Sequence, residues 1–387
     1  MDELDAFYVQ RPHAPLEPMK TYLRATKQHV KALFSGHRGS GKSTELRRLA
    51  KDVGNEFFVV QVSAADSLNI ADLSYVDVVL SCAAALFRET TDKARQVKIP
   101  SALWRGVLDL LTNEITAETT IKVPTSRSLG AKVNAFVFSI EGKYGKETET
   151  RQSLRKRLFP YINDLIQQAN GVCQAIEEVT RRPPLIIFED LDKPDSATAR
   201  DLFFEHATTL NSLACRIIYT FPIALCYSDE FAGRIRDYSW HFLLPNVSLY
   251  NDKNTPNAEG RATLKTVVTK RISESTFSRG ALDGIIELSG GLMRDLIRLV
   301  SEAALIALTE GSSVITSDIV QRVAAESANA YRRSLLPEHY DVLRDAHETK
   351  QITPSETVRE VLANLSLLEY RNTIAWCDVH PIVRTLL

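Results

Sequence analysis

Between Gly36 and Thr44 the chain reads GHRGSGKST, and Gly36, Gly41, Lys42 and Ser43 satisfy the spacing G-x-x-x-x-G-K-[ST]. Three glycines within six residues let successive backbone N–H groups turn inward and wrap phosphates at a helix N-terminus, where the dipole favours anions. Gly36, Gly39, Ser40, Gly41 and Thr44 form the candidate cradle. Lys42 would reach the β- and γ-phosphates of ATP, and the Ser43 hydroxyl would join the shell of Mg²⁺, a hard cation that takes oxygen ligands. Such a site needs acids at the end of a neighbouring strand. RRPPLIIFEDLDKPD, Arg181 to Asp195, supplies a proline breaker, four apolar residues, and then Glu189, Asp190 and Asp192. Taken in order, Glu189 serves the metal and Asp190 the attacking water; a shift by one residue puts Asp190 on the metal.

Three further positions carry polar chemistry. Thr220 ends the apolar run in CRIIYTFPIAL, where its hydroxyl either touches the γ-phosphate and the lytic water or is a plain strand-end hydroxyl. Arg234 and Arg236 lie on a predicted helix before WHFLLP; they read as a solvated face or as cations for a neighbouring subunit's γ-phosphate. Arg294, in LSGGLMRDLIRLVSEAAL, sits near a helix start, where a cation opposes the dipole unless an anion compensates.

Positioning these groups requires particular elements. KALF reads as a short buried strand and KSTELRRLA as a helix with Leu46, Leu49 and Ala50 on one face, the strand–loop–helix order of a phosphate loop. Leu185 to Phe188 fits a strand buried on both faces of a parallel sheet. After Gly290 and Gly291, a helix carries Leu296, Leu299, Val300, Ala303 and Ala304 on one side. Leu158, Ile162, Leu165, Ala169, Val172, Ile176 and Val179 alternate at four and three, predicting a helix packed on the sheet, with a coiled-coil partner as the alternative. The polar stretch from Asn113 to Arg151 reads as a projecting hairpin or a partly mobile loop, with alternation from Ala135 to Ile140. Arg151, Arg155, Lys156 and Arg157 form a basic cluster, expected as a solvated face, with a phosphate or subunit contact as the alternative.

Composition narrows the function. The 387 residues carry 47 Lys and Arg against 48 Asp and Glu, so no broad field draws the chain to nucleic acid or anionic membranes. Five scattered cysteines read as reduced, mostly buried thiols rather than zinc ligands. The acidic N-terminus has no apolar core of a signal peptide, and the longest apolar run, Val76 to Phe87, is short of the roughly 20 residues a span needs, so a cytoplasmic protein without membrane contact is expected. From Tyr331 the pattern is helix, helix, then a hairpin from Leu368 to Val379, with seven cations against eight acids. A winged-helix-like module without positive excess is a poor generic DNA binder.

GHRGSGKST, LIIFEDLDK, IIYTFPIAL and SGGLMRDL, in that order, resemble the AAA+ ATPases of the initiator and origin-recognition kind and the related STAND signalling ATPases. The resemblance implies an α/β P-loop NTPase core over 1–247 with an insertion around 64–158, a helical lid over 248–330, and a winged-helix-like module over 331–387. It places Thr220 at the sensor-1 position and Arg294 at the sensor-2 position of the lid. It implies an ATP-driven switch that forms homo-oligomers and controls a separate effector protein, with bacterial signalling or antiviral defence as settings known only by analogy of fold. The alternatives are a DNA-binding initiator or loader and a nucleotide-bound scaffold that hydrolyses little. Two departures stand out: Glu189-Asp190 reverses the common acidic order, and about 120 residues separate the strand Glu56 to Ser63 from the acidic strand.

Overall fold

The computed structural model describes residues 3–27, 29–91, 95, 97, 100, 103, 148–372 and 374–387. The hairpin expected between Asn113 and Arg151 lies outside them, apart from the helix Thr148–Leu158.

Strands β1 (Lys31–Gly36), β2 (Phe58–Ser63), β3 (Pro184–Glu189), β4 (Arg216–Pro222) and β5 (Trp240–Leu243) form one parallel sheet in the order β2-β3-β4-β1-β5. Every residue of β1, β3 and β4 is buried, which is why their sequences read as near-continuous apolar runs. Side chains alternate between two cores. Ile186, Phe188, Ile217 and Tyr219 pack with the helices Tyr75–Thr91 and Ile162–Thr180. Leu185, Ile187, Ala32 and Phe34 pack with Leu46 and Leu49 of the helix Lys42–Val53, as the period of two requires. Pairing of Gly36 with Pro222 and of Phe188 with Tyr219 brings the carboxyl ends of β1, β4 and β3 side by side. In open α/β sheets that edge is where ligands bind.

Two sequence expectations change here. The helix Ile162–Thr180 does pack on the sheet, but Val179 is 50% exposed. Ile166 and Cys173 join the buried stripe, which rotates its centre and leaves Val179 at the margin, as the drift between a seven-residue repeat and 3.6 residues per turn dictates. The basic cluster is not simply a solvated face. Arg151 is 1% exposed and pairs with Asp72 at 2.7 Å; Arg155 pairs with Asp72 at 2.8 Å and with the buried Asp77. These two guanidinium groups tie the helix Thr148–Leu158 to the start of the helix Tyr75–Thr91, because the buried Asp77 carboxylate and the buried Arg151 guanidinium each need a partner of opposite charge.

Beyond β5, the helices Ala258–Thr269, Ala281–Leu288, Met293–Thr309 and Ser317–Ser334 share a core of Leu264, Ile285, Leu296, Leu299 and Val323. The helices Pro337–Thr349 and Glu356–Ala363 pack on an antiparallel hairpin of β6 (Leu367–Arg371) and β7 (Ala375–Val379) through Leu343, Val361, Leu367 and Val379. All five cysteines are free thiols. Among the described residues, no helix is long and apolar enough to cross a membrane.

Candidate nucleotide site

The loop leaving β1 turns through Gly39 (φ 86°) and Gly41 (φ 100°), both left-handed, before Lys42 opens the helix. Glycine is the residue that adopts these angles without strain. Gly39 has a second reason: a Cβ there would stand 2.6 Å from the Cβ of Arg294, and the Arg294 N–H donates to the Gly39 carbonyl at 2.9 Å. The helix Met293–Thr309 therefore starts in contact with the loop backbone. Gly39→Ala is expected to push that helix away and weaken ATP and ADP binding about tenfold or more, since strain of about 1–3 kcal/mol at the cradle is no longer relieved; a fluorescent-nucleotide titration measures it.

The Lys42 ammonium donates to the carbonyls of Gly36 (2.8 Å) and His37 (3.0 Å) and pairs with Asp192 at 2.8 Å, which engages all three of its hydrogens. Glu189 accepts a hydrogen bond from the Ser43 hydroxyl; burial raises its pKa, Asp190 and Asp192 add to that, and Ser43 and Arg47 oppose it. Asp190 follows at φ 71° and accepts from Ser63 Oγ at 2.8 Å and Lys193 Nζ at 2.7 Å. Burial alone would raise its pKa, but Lys193 and Ser63 outweigh it and hold the carboxyl below its ordinary value. Thr220 Oγ1 accepts from the Leu191 N–H at 2.9 Å and donates to the Phe188 carbonyl at 3.4 Å. Its hydroxyl staples the turn that carries Asp190 and Asp192.

A cavity of about 610 Å³ gathers Gly39, Gly41, Lys42, Ser43, Thr44, Asp190, Thr220 and Arg294, with Val9, Val267, Met293 and Ile297 as apolar walls. Glu189 opens onto an adjoining cavity of about 700 Å³ that shares Ser43, Asp190 and Lys193. Gly36 and Ser40 stand behind the loop, their carbonyls accepting from Lys42 and Arg11. Arg234 and Arg236 line neither cavity: Arg234 lies 3.7 Å from Glu205, and Arg236 is exposed. The helix expected for them is two short pieces, Phe231–Arg234 and a 3₁₀ turn at Ile235–Asp237.

Sequence reasoning missed four participants. Arg11 Nη1 donates to the Ser40 carbonyl at 2.5 Å, and its Nε lies 3.4 Å from Glu45. Burial lowers the Arg11 pKa and Glu45 opposes this. Arg11 Nη2 and Ser40 Oγ are buried with no hydrogen-bond partner among the described residues. The other two are His37, inside the loop, and Glu369, on β6. His37 Nε2 accepts the Glu369 N–H at 2.8 Å, which leaves the ring proton on Nδ1. The Glu369 carbonyl accepts from Asn246 at 3.2 Å and its carboxylate from the Tyr227 hydroxyl at 2.7 Å. Burial, with Lys42 nearby, pushes the His37 pKa down to about 3. A single YVQRP run near the N-terminus, or a histidine in a variable loop position, gives no local signal of these contacts.

The glycine-rich loop at the carboxyl edge of a five-stranded parallel sheet, followed by a helical region with its own core, is an α/β arrangement that can be compared with known folds. No family model matches the sequence, and no curated protein does. Among solved structures, the chain is similar to the Orc1 protein of Aeropyrum pernix in complex with DNA (14% identity, 98% of this chain and 95% of that one, TM-score 0.44). It is also similar to the Orc2 protein of the same organism, solved as ADPNP-ADP complexes (12% identity, 98% and 93%, TM-score 0.47). A Walker-type ATPase of Pyrococcus abyssi aligns at 14% identity over 98% and 99% of the two chains, with a TM-score of 0.46.

Proposed function

We propose that the protein is an ATP-binding, slowly hydrolysing switch whose nucleotide sits between the sheet edge and the helical lid. The observation that carries this reading is the convergence of Lys42 from the loop and Arg294 from the lid on one cavity, with the lid backbone bonded to Gly39. Arg11, which lines the cavity, has a buried Nη2 without a hydrogen-bond partner among the described residues, a further polar atom suited to a phosphorylated ligand. Ser43 and Glu189, hard oxygen donors already in contact, are fit to hold Mg²⁺, which when bound supplies charge neutralisation for the phosphates. Lys42 and Arg294 orient the γ-phosphate, and Arg234 or Arg236 of a neighbouring copy is the cation offered to it. Asp190, on the water side, is weakened as a base by Lys193 and Ser63, which favours slow turnover and keeps the nucleotide-bound scaffold as a second reading. Binding of ATP and ADP with different affinity for two lid positions is what couples the site to a partner protein. In this reading the lid over 248–330 and the module from 331 are the parts that move against the core.

Light scattering with ATP, ADP and no nucleotide, with phosphate release read on the same samples, tests the reading. Assembly with ATP and slow release are expected, and Arg234→Ala with Arg236→Ala should lower release without loss of ATP binding. A constant mass without phosphate release leaves the scaffold; equal affinity for ATP and ADP in both lid positions ends the switch.

A further inference from the structure

A groove of about 1000 Å³ borders the nucleotide cavity along the helix Lys42–Val53 and the edge strand β2. Five cations line it, Arg47, Lys51, Arg95, Arg182 and Arg271, against one described acid, Glu89. Lys51 pairs with Asp5 and Arg95 with Glu89. Arg47, Arg182 and Arg271 have no carboxylate within ion-pair distance among the described residues, and two of them are held in place by groups that leave the charge unmatched. Arg182 lies over the Phe58 ring (5.8 Å) and donates to the Gly54 carbonyl; Arg271 lies over the Phe7 ring (5.0 Å) and donates to the Val267 carbonyl. Like charges gathered round one concavity repel each other unless an anion sits among them. Guanidinium forks match phosphate oxygens in particular.

We propose that this groove binds a small anion bearing several phosphate groups and that its binding strengthens nucleotide binding at the adjoining site. The coupling follows from shared walls, since Phe7, Tyr8, Thr44 and Arg271 border both cavities. A ligand that orders them for one site orders them for the other, and the effect is reciprocal. A small anion is favoured over an extended nucleic-acid strand because the charges surround a concavity of small-molecule size rather than forming a stripe, and because the whole chain has a net charge of −1.

The test is calorimetric titration of inorganic tripolyphosphate into the full chain already saturated with ADP, which occupies the phosphate loop. One additional site is expected. Arg182→Gln and Arg47→Gln, each checked for an unchanged thermal midpoint, should each weaken it about tenfold, as expected for loss of a charge-assisted phosphate contact. Tripolyphosphate should also slow ADP release in wild type and lose that effect in Arg182→Gln. No additional site, or one indifferent to both arginines, overturns the proposal. So does a single-stranded oligonucleotide binding about tenfold tighter than tripolyphosphate with the same arginine dependence, which would assign the groove to nucleic acid. A dimer present without the probe and abolished by Arg182→Gln would overturn it by making a second copy the occupant. Failure of ADP to bind at all counts against the proposed function instead, and the groove is then read by tripolyphosphate on Lys42→Ala.

Discussion

Lys42→Ala is expected to lower ATP affinity roughly 100-fold and take phosphate release to background, whereas Asp192→Asn is expected to raise ATP affinity about tenfold. Both follow from one contact. The ammonium is fully engaged by two loop carbonyls and the Asp192 carboxylate, so a phosphate must displace a partner to reach it. Asp192 is the partner whose own charge opposes the incoming anion. A unit charge about 5 Å away is worth roughly 3 kcal/mol at an effective dielectric near 20, and about 1.4 kcal/mol is tenfold in affinity. Removing the carboxylate charge while keeping the amide's shape therefore favours the nucleotide even after allowing for partial screening. Lys42→Ala alone carries a second cost, because it strands a carboxylate that is 7% exposed; breaking such a pair typically costs about 3–5 kcal/mol. The double variant Lys42→Ala with Asp192→Asn removes that cost, so it should recover the urea midpoint but not nucleotide binding. If Asp192→Asn binds ATP no better than wild type, Asp192 does not restrain the lysine and the assignment is wrong.

The His37 contact predicts a pH effect. Its imidazole is buried, neutral, and shifted from an ordinary 6.5 to about 3. Between those values the unfolded chain binds the proton and the folded chain does not, so this group removes stability as pH falls through that window, by at most about 1.4 kcal/mol per pH unit. His37→Gln keeps an acceptor for the Glu369 N–H and has nothing to protonate. It is expected to hold its neutral-pH stability near wild type and to flatten the acid side of the stability profile, measured as the urea midpoint from pH 7 to pH 4. His37→Ala leaves that buried N–H without a partner and should cost about 2 kcal/mol at neutral pH, a deficit that shrinks on the acid side because it too has nothing to protonate. An unchanged acid slope in His37→Gln would show that other groups set it; His241, held down to about 4 by burial with Arg371 adding, is the first to examine next. The same variants read the link to β6. Since the histidine belongs to the phosphate loop and Glu369 to the C-terminal hairpin, His37→Ala should also increase amide exchange along β6.

Much of the site was legible because its signals are local. The spacing from Gly36 to Ser43 requires a strand before it and a helix after it, and both formed; the apolar run Leu185 to Phe188 fits a strand buried on two faces, and that is what it forms. Arg294 was readable for a related reason, since a cation at a helix start is costly without an anion nearby. Pairings across long separations were not readable. Nothing around Arg151 says that Asp72 and Asp77 lie within reach, and a run of cations without that knowledge looks solvated. The contact between His37 and Glu369 spans 332 residues, and the meeting of Asp192 with Lys42 depends on the turn that Thr220 staples. The sequence by itself determined the phosphate loop, the strands that bury it and the charge balance, because these depend on residue type and short-range spacing. Only the tertiary structure decided which acid faces the lysine, which arginines reach the cavity and which stay outside, and that the C-terminal hairpin is bonded to the loop, because those outcomes depend on how separate elements pack.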